Sequence, residues 1–150
     1  MRNTLLVLHI LGAATWLGAN ITQAIATPHF VKAGGEAAAQ WWKTTVAMGR
    51  VLYPPAAVLV LISGIFLVTT SDGGYQFSDW FVSVGLAMVI IGTIVGITVF
   101  GPKGERAAEL RAQGDSTGAL APEAAIRNFG ILDTILLLLT VVAMVTRWGI

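Results

Sequence analysis

The sequence predicts an all-α integral membrane protein: a four-helix bundle of antiparallel up-down topology, with short interfacial helices in its cytoplasmic loops. Three observations carry this prediction. Of the 150 residues, 55% are hydrophobic and only 11% are charged, and the mean hydropathy is +0.77, far from the roughly 25% charged residues of an ordinary soluble chain. Four apolar runs, residues 4–26, 51–70, 80–101 and 129–146, are each near the roughly 20 residues a helix needs to cross about 30 Å of hydrocarbon. The nine Lys and Arg residues also divide unevenly between alternate connections. Four spans fill most of the chain and leave one transmembrane domain, residues 1–150, in which each helix satisfies its own backbone.

Taken in order, span one is preceded by Arg2 and ends near Ala24-Ile25-Ala26, features shared with a cleaved signal peptide. Its apolar stretch is long enough to span, so it is expected to be retained. Pro28 and Pro102 follow spans one and three. A residue without an amide donor costs no helical hydrogen bond there, and both helices are expected to stop at these prolines. Residues 36–49, with Trp41-Trp42 beside Lys43, read as an interfacial helix that lies on the membrane or runs straight into span two. Tyr53-Pro54-Pro55 then either starts span two or kinks a longer helix made of both pieces. The turn from Ser71 to Tyr75 is short, and Ser78 is a candidate N-cap for span three. The last connection reads as a charged helix over residues 105–111, a turn over residues 114–118, and a fourth helix whose first turn holds Pro122 and Glu123.

Charge sets the expected orientation. Lys32, Lys43, Arg50, Lys103, Arg106, Arg111 and Arg127 fall on one side, whereas Arg2 and Arg147 fall on the other. Lys and Arg collect in cytoplasmic loops. Both termini are therefore expected outside the cytoplasm.

Composition also excludes whole classes of chemistry. With no Cys there is no disulfide framework, thiolate zinc site, iron–sulfur cluster or cysteine nucleophile. A net charge of +1 is no footprint for nucleic acid, so the expected partners are the lipid bilayer and other membrane components. No P-loop, zinc-protease, nucleophile-elbow or dinucleotide motif is present.

The polar residues of span one, His9, Asn20, Gln23 and Thr27, recur with Gly12, Ala13 and Trp16 at helical spacings and share one face. Such a face turns toward neighbouring helices, because polar groups in hydrocarbon are costly. Asn20 and Gln23 serve either as interhelical hydrogen bonds or as part of a polar path. His9 is the sharper candidate, since an intramembrane imidazole can ligate iron or relay protons. It can also simply hydrogen-bond to a neighbour. Gly12, Ala13 and Trp16 beside it suit a flat macrocycle or a closely approaching helix. His29 lies twenty residues on, about 30 Å along a helix, and cannot share a metal with His9. Met88 and Met144 are possible soft axial ligands, though methionine in a membrane helix usually packs. Asp133 is the one carboxylate well inside an apolar run. An ion pair with Arg50 or Arg127 is expected there, and a proton or substrate site is the alternative. Gly92 and Gly96 form a small-residue seam for a homodimer or for intramolecular packing.

Residues 8–18, reading Leu-His-Ile-Leu-Gly-Ala-Ala-Thr-Trp-Leu-Gly, resemble the first helix of small bacterial four-helix membrane proteins related to CopD-type copper-resistance proteins and HemJ-type protoporphyrinogen oxidases. The chain looks closest to uncharacterised members of that group. Met48-Gly49-Arg50, Pro54-Pro55, Ser63-Gly64 and Trp80 extend the similarity. The resemblance implies heme b, with His9 matching the first-helix ligand of the HemJ-like proteins. Those proteins carry a Lys early in the third helix that matters for activity, where this chain reads Trp80-Phe81-Val82-Ser83. The sequence therefore points to a heme-binding or redox-accessory membrane protein using His9, without the oxidase activity. The alternatives are a small carrier or channel with a polar path at Asn20, Gln23 and Asp133, or a structural subunit of a membrane complex. A homodimer or a larger assembly is expected in each case.

Overall fold

The computed structural model describes residues 1–147 and is all-α, with four long antiparallel helical columns. The first is α1, Arg2–Ala33. The second joins α2, Gly35–Val51, to α3, Tyr53–Thr69. The third runs through α4, Trp80–Val95, a π-helical turn, Gly96–Phe100, and α5, Gly101–Ala112. The fourth is α6, Ser116–Thr146. A helix of 32 residues such as α1 is about 48 Å long, well beyond the roughly 30 Å of hydrocarbon. All four columns are long and apolar enough to span. They also project together beyond the bilayer.

The bundle consequently has two storeys. In the membrane storey α1 packs on α3 and α6, and α4 packs on α6. Its core is Trp16, Met88 and Leu137, with Tyr53, Leu17, Ala57 and Leu136 against it. Outward from this core the side chains are apolar and uncovered: Ile97 is 71% exposed and Val145 77%. Surfaces of that kind face lipid. In the projecting storey α2 packs on α5, and α5 on α6, about Trp42, Ala107 and Ala108. Ala38, Ala39 and Ala119 are also buried. Small side chains let these helix backbones approach closely, so the tightest packing lies outside the hydrocarbon.

Several sequence expectations are corrected. Pro28 does not end the first helix: α1 continues to Ala33. The turn beyond Pro28 is held from outside, because Phe30 stacks on Trp41 at 4.7 Å and Trp41 Nε1 donates to Thr27 Oγ1 at 3.0 Å. The chain reverses instead at Gly34 and Gly35, with φ of 70° and 51°, which glycine adopts without a Cβ penalty. Pro102 does not stop span three either. The π-helical turn precedes it, with Gly101 N–H donating to Gly96 O, and this wider turn absorbs the proline so that α5 continues. The interfacial-helix reading of residues 36–49 resolves into α2, which runs on through Leu52 into α3. Leu52 N–H donates to Met48 O at 2.9 Å. Pro54-Pro55 thus marks a break within one column and not a separate start.

Two caps also differ from expectation. Asp79, not Ser78, is the N-cap of α4, and its carboxylate accepts from Gln76 N–H at 2.8 Å. The turn read over residues 114–118 is shorter. Gly114, with φ of 79°, ends α5 in a Schellman arrangement: Asp115 N–H donates to Leu110 O and Gly114 N–H to Arg111 O. Asp115 then caps α6 by accepting from Gly118 N–H at 2.7 Å. Residues 116–118 are therefore the first turn of α6, and Pro122 lies inside the helix.

Candidate functional site

Three polar centres lie along the bundle. The first is His9, half-buried between α1 and α3. Its Nδ1 is 3.0 Å from Val60 O and 3.2 Å from Ser63 Oγ. A carbonyl oxygen can only accept, so Nδ1 carries the proton and the imidazole is the Nδ1–H tautomer. Ser63 in turn donates to Leu59 O, which leaves its oxygen to accept from the ring. Gly64 makes room for the ring: a Cβ there would stand 3.1 Å from His9 Cε1. Nε2 therefore holds a lone pair and has no hydrogen-bond partner among the described residues, and it is not sealed from its surroundings.

The residues expected beside His9 have other neighbours. Gly12 is where α3 comes close, since a Cβ on it would meet Val60 Cγ2 at 2.7 Å and Ala56 O at 3.0 Å. Trp16 reaches across the bundle, its ring filling the space over Gly92, where a Cβ would lie 2.5 Å from Trp16 Cζ2. Ala13 is half-buried. Helix packing therefore uses the small and aromatic positions, and His9 alone of the four offers a donor atom. Met88 is in the core with Trp16, and Met144 packs against Gly85. His29 is exposed at the far end of α1.

The second centre is Asp133, buried on α6. Its Oδ2 accepts from Asn20 Nδ2 at 2.7 Å and from Trp16 Nε1 at 3.1 Å. The line continues through Asn20 Oδ1, which accepts from Tyr53 Oη at 2.7 Å, to Gln23 Nε2, which donates to Tyr53 Oη at 2.9 Å. Asn20 Nδ2 also lies 3.3 Å from Thr134 Oγ1. The expected ion pair is thus corrected. Arg50 bonds Glu105 on the exposed face of α2 and α5, Arg127 is exposed, and Asp133 is held by neutral donors. The register of α6 explains the difference, because it turns Asp133 toward α1 while the arginines sit in the projecting storey. Asn20, Gln23 and Asp133 are brought together as one network, joined by Tyr53, which the sequence had offered only as the start of span two or of a proline kink.

The third centre was not foreseen. Arg111 of α5 and Glu123 of α6 form a buried two-bond pair, with Nε–Oε1 and Nη2–Oε2 both 2.7 Å. Trp42 Nε1 also donates to Glu123 Oε1 at 2.9 Å. Those bonds to Glu123 raise the Arg111 pKa above its ordinary value. Opposite charges on either side of the Gly114 turn, amid alanine-rich faces, were the signal available in the sequence. Among the described residues no group of three or more His, Asp and Glu side chains could hold a metal ion.

No family model, curated protein or solved structure matches the chain.

Proposed function

We propose that this multi-pass membrane protein binds heme b through His9 Nε2 and acts as a redox-accessory protein without catalytic activity of its own. The observation that carries the reading is the fixed tautomer. Nδ1 is committed to Val60 O, the backbone-carbonyl partner that metal-ligating histidines use to orient the ring and raise its basicity. The resemblance of residues 8–18 to HemJ-like first helices supports the same assignment. Gly12 and Trp16 are occupied by helix packing, so His9 Nε2 would hold the heme without them, from the outer edge of the α1–α3 seam. A second copy of the chain, or another subunit, would cover it there. Heme so held supplies a one-electron centre. The excess of Lys and Arg on the side opposite the termini supports an orientation with both termini outside the cytoplasm, and the resemblance to small bacterial membrane proteins supports a bacterial inner membrane.

The test is an absorption spectrum of protein expressed with adequate heme supply. A Soret band is expected in the wild type, and His9→Ala should lose it while remaining folded by circular dichroism. A colourless wild type that also fails to bind added hemin overturns the reading and leaves His9 as a hydrogen-bonding residue of the α1–α3 contact. A second reading, a small carrier or channel, rests on the line Gln23, Tyr53, Asn20 and Asp133, which runs between α1, α3 and α6.

A further inference from the structure

The end of the bundle that holds both termini has few cations, yet the structure gathers Arg2 and Arg147 at one place. Their guanidinium carbons lie 5.7 and 5.6 Å from the centroid of the Tyr75 ring, and Arg2 Nη2 donates to Tyr75 Oη at 3.0 Å. Tyr75 sits in the turn between α3 and α4, where its N–H donates to Ser71 Oγ at 2.9 Å. The two arginines and Tyr75, with Thr70, Ser71 and Asp72, line a cavity of about 250 Å³.

Two features of this cavity are unfavourable by themselves. Like charges drawn from opposite ends of the chain repel. Asp72, the carboxylate at the cavity, makes no ion pair with either arginine among the described residues. The backbone is also held in an uncommon conformation. Among the described residues the non-glycine positions with positive φ are Asp72, at 51°, and Arg147, at 50°, and both line this cavity. Arg147 stands at the C-cap of α6 in the left-handed region that glycine adopts without cost. Strained backbone positions cluster at binding sites.

Guanidinium forks recognise phosphate through paired hydrogen bonds, and the Tyr75 hydroxyl, which accepts from Arg2, still has its own proton to donate. Depth identifies the source of the phosphate. The cavity lies where α3 ends at Thr69 and α4 begins at Trp80, with Trp80 71% and Phe77 52% exposed beside it. Exposed aromatic side chains at the ends of apolar spans are those that a headgroup layer favours. We propose that the Arg2–Tyr75–Arg147 cavity binds the phosphate of an anionic lipid headgroup. This holds whether or not His9 ligates heme.

The test uses the full chain in neutral detergent, titrated with short-chain phosphatidylglycerol, phosphatidylcholine or inorganic phosphate while the melting temperature is followed. Phosphatidylglycerol should raise Tm to saturation and phosphatidylcholine should not. Arg2→Gln and Arg147→Gln should each weaken the response by about tenfold or more, their own melting transitions showing that they are folded. Arg106→Gln, at the other end beside Glu109, should respond as wild type. Arg147→Gly should melt higher without lipid yet lose the response, which separates the cation from the fold. An equal response to phosphatidylcholine, or wild-type affinity in both arginine variants, overturns the site. Saturation by inorganic phosphate at the same concentrations overturns the lipid assignment.

Discussion

At the scale of single residues, the decisive contrast is between Asp133, one of whose carboxylate oxygens ties down donors from a neighbouring helix, and His9, whose second ring nitrogen ties down nothing. Asp133 Oδ2 takes two neutral donors, Trp16 Nε1 and Asn20 Nδ2, which leaves these two donors dependent on an acceptor at position 133. Asp133→Asn keeps an oxygen there and should cost at most about 1 kcal/mol. Asp133→Leu strands Trp16 Nε1 and leaves Asn20 Nδ2 only Thr134 Oγ1 at 3.3 Å, so it should cost about 2 to 4 kcal/mol, a buried unpaired group costing about 1 to 3. Unfolding by titration with a denaturing detergent measures both. An Asn variant as unstable as the Leu variant would show that the negative charge itself is required. If Asp133→Asn folds normally but abolishes proton or solute flux in reconstituted vesicles, the carrier reading displaces the heme reading. His9 is the opposite case. Its Nδ1 is anchored and Nε2 is not, so a ligand can be added there without breaking any bond of the fold.

At the scale of elements, α1 shows how tertiary contacts override a local signal. Pro28 sits inside the helix, exposed, and lacks the amide that would bond to the preceding turn. Pro28→Ala restores that bond and relieves the ring clash, so it should stabilise the protein by about 1 to 3 kcal/mol. A loss of stability would mean that the helix needs the proline as a terminator, as the sequence alone implies. The spans were legible because apolar length is a strong signal in one dimension. Gly114 and the Asx cap at Asp115 were legible only in part, because a Gly-Asp-Ser-Thr-Gly string reads equally as a turn or as a turn followed by the first turn of a helix. The shared face of Asn20 and Gln23 followed from helical spacing. Their bonding to Tyr53 and Asp133 did not, since partners 30 and 113 residues away depend on how the columns are rotated against one another. Arg111 with Glu123 was missed for a related reason: a charged pair near a turn usually reads as solvated surface, and only the packing of α2 over α5 buries it.

At the scale of the whole molecule, the two storeys join architecture to orientation. The storey built from α2, α5 and the start of α6 contains Lys43, Arg50, Lys103, Arg106 and Arg111. It also holds the buried Arg111–Glu123 pair, which would be costly in hydrocarbon but is tolerable in a projecting bundle near water. The other end is a short turn with one aromatic cavity. Moving the basic storey across a membrane against the retention of Lys and Arg is unfavourable, so residues 101–128 should face the cytoplasm and both termini should face out. The chain has no cysteine, so single introduced thiols report without background. Ser116→Cys probes the exposed first turn of α6, and Ser78→Cys probes the exposed turn before α4. Ser71 is a poorer choice, because its hydroxyl accepts the Tyr75 N–H. An impermeant maleimide should label Ser78→Cys on intact cells and Ser116→Cys only after permeabilisation. The reverse pattern would invert the protein, placing the basic storey outside and turning the Arg2–Tyr75–Arg147 cavity toward the inner leaflet.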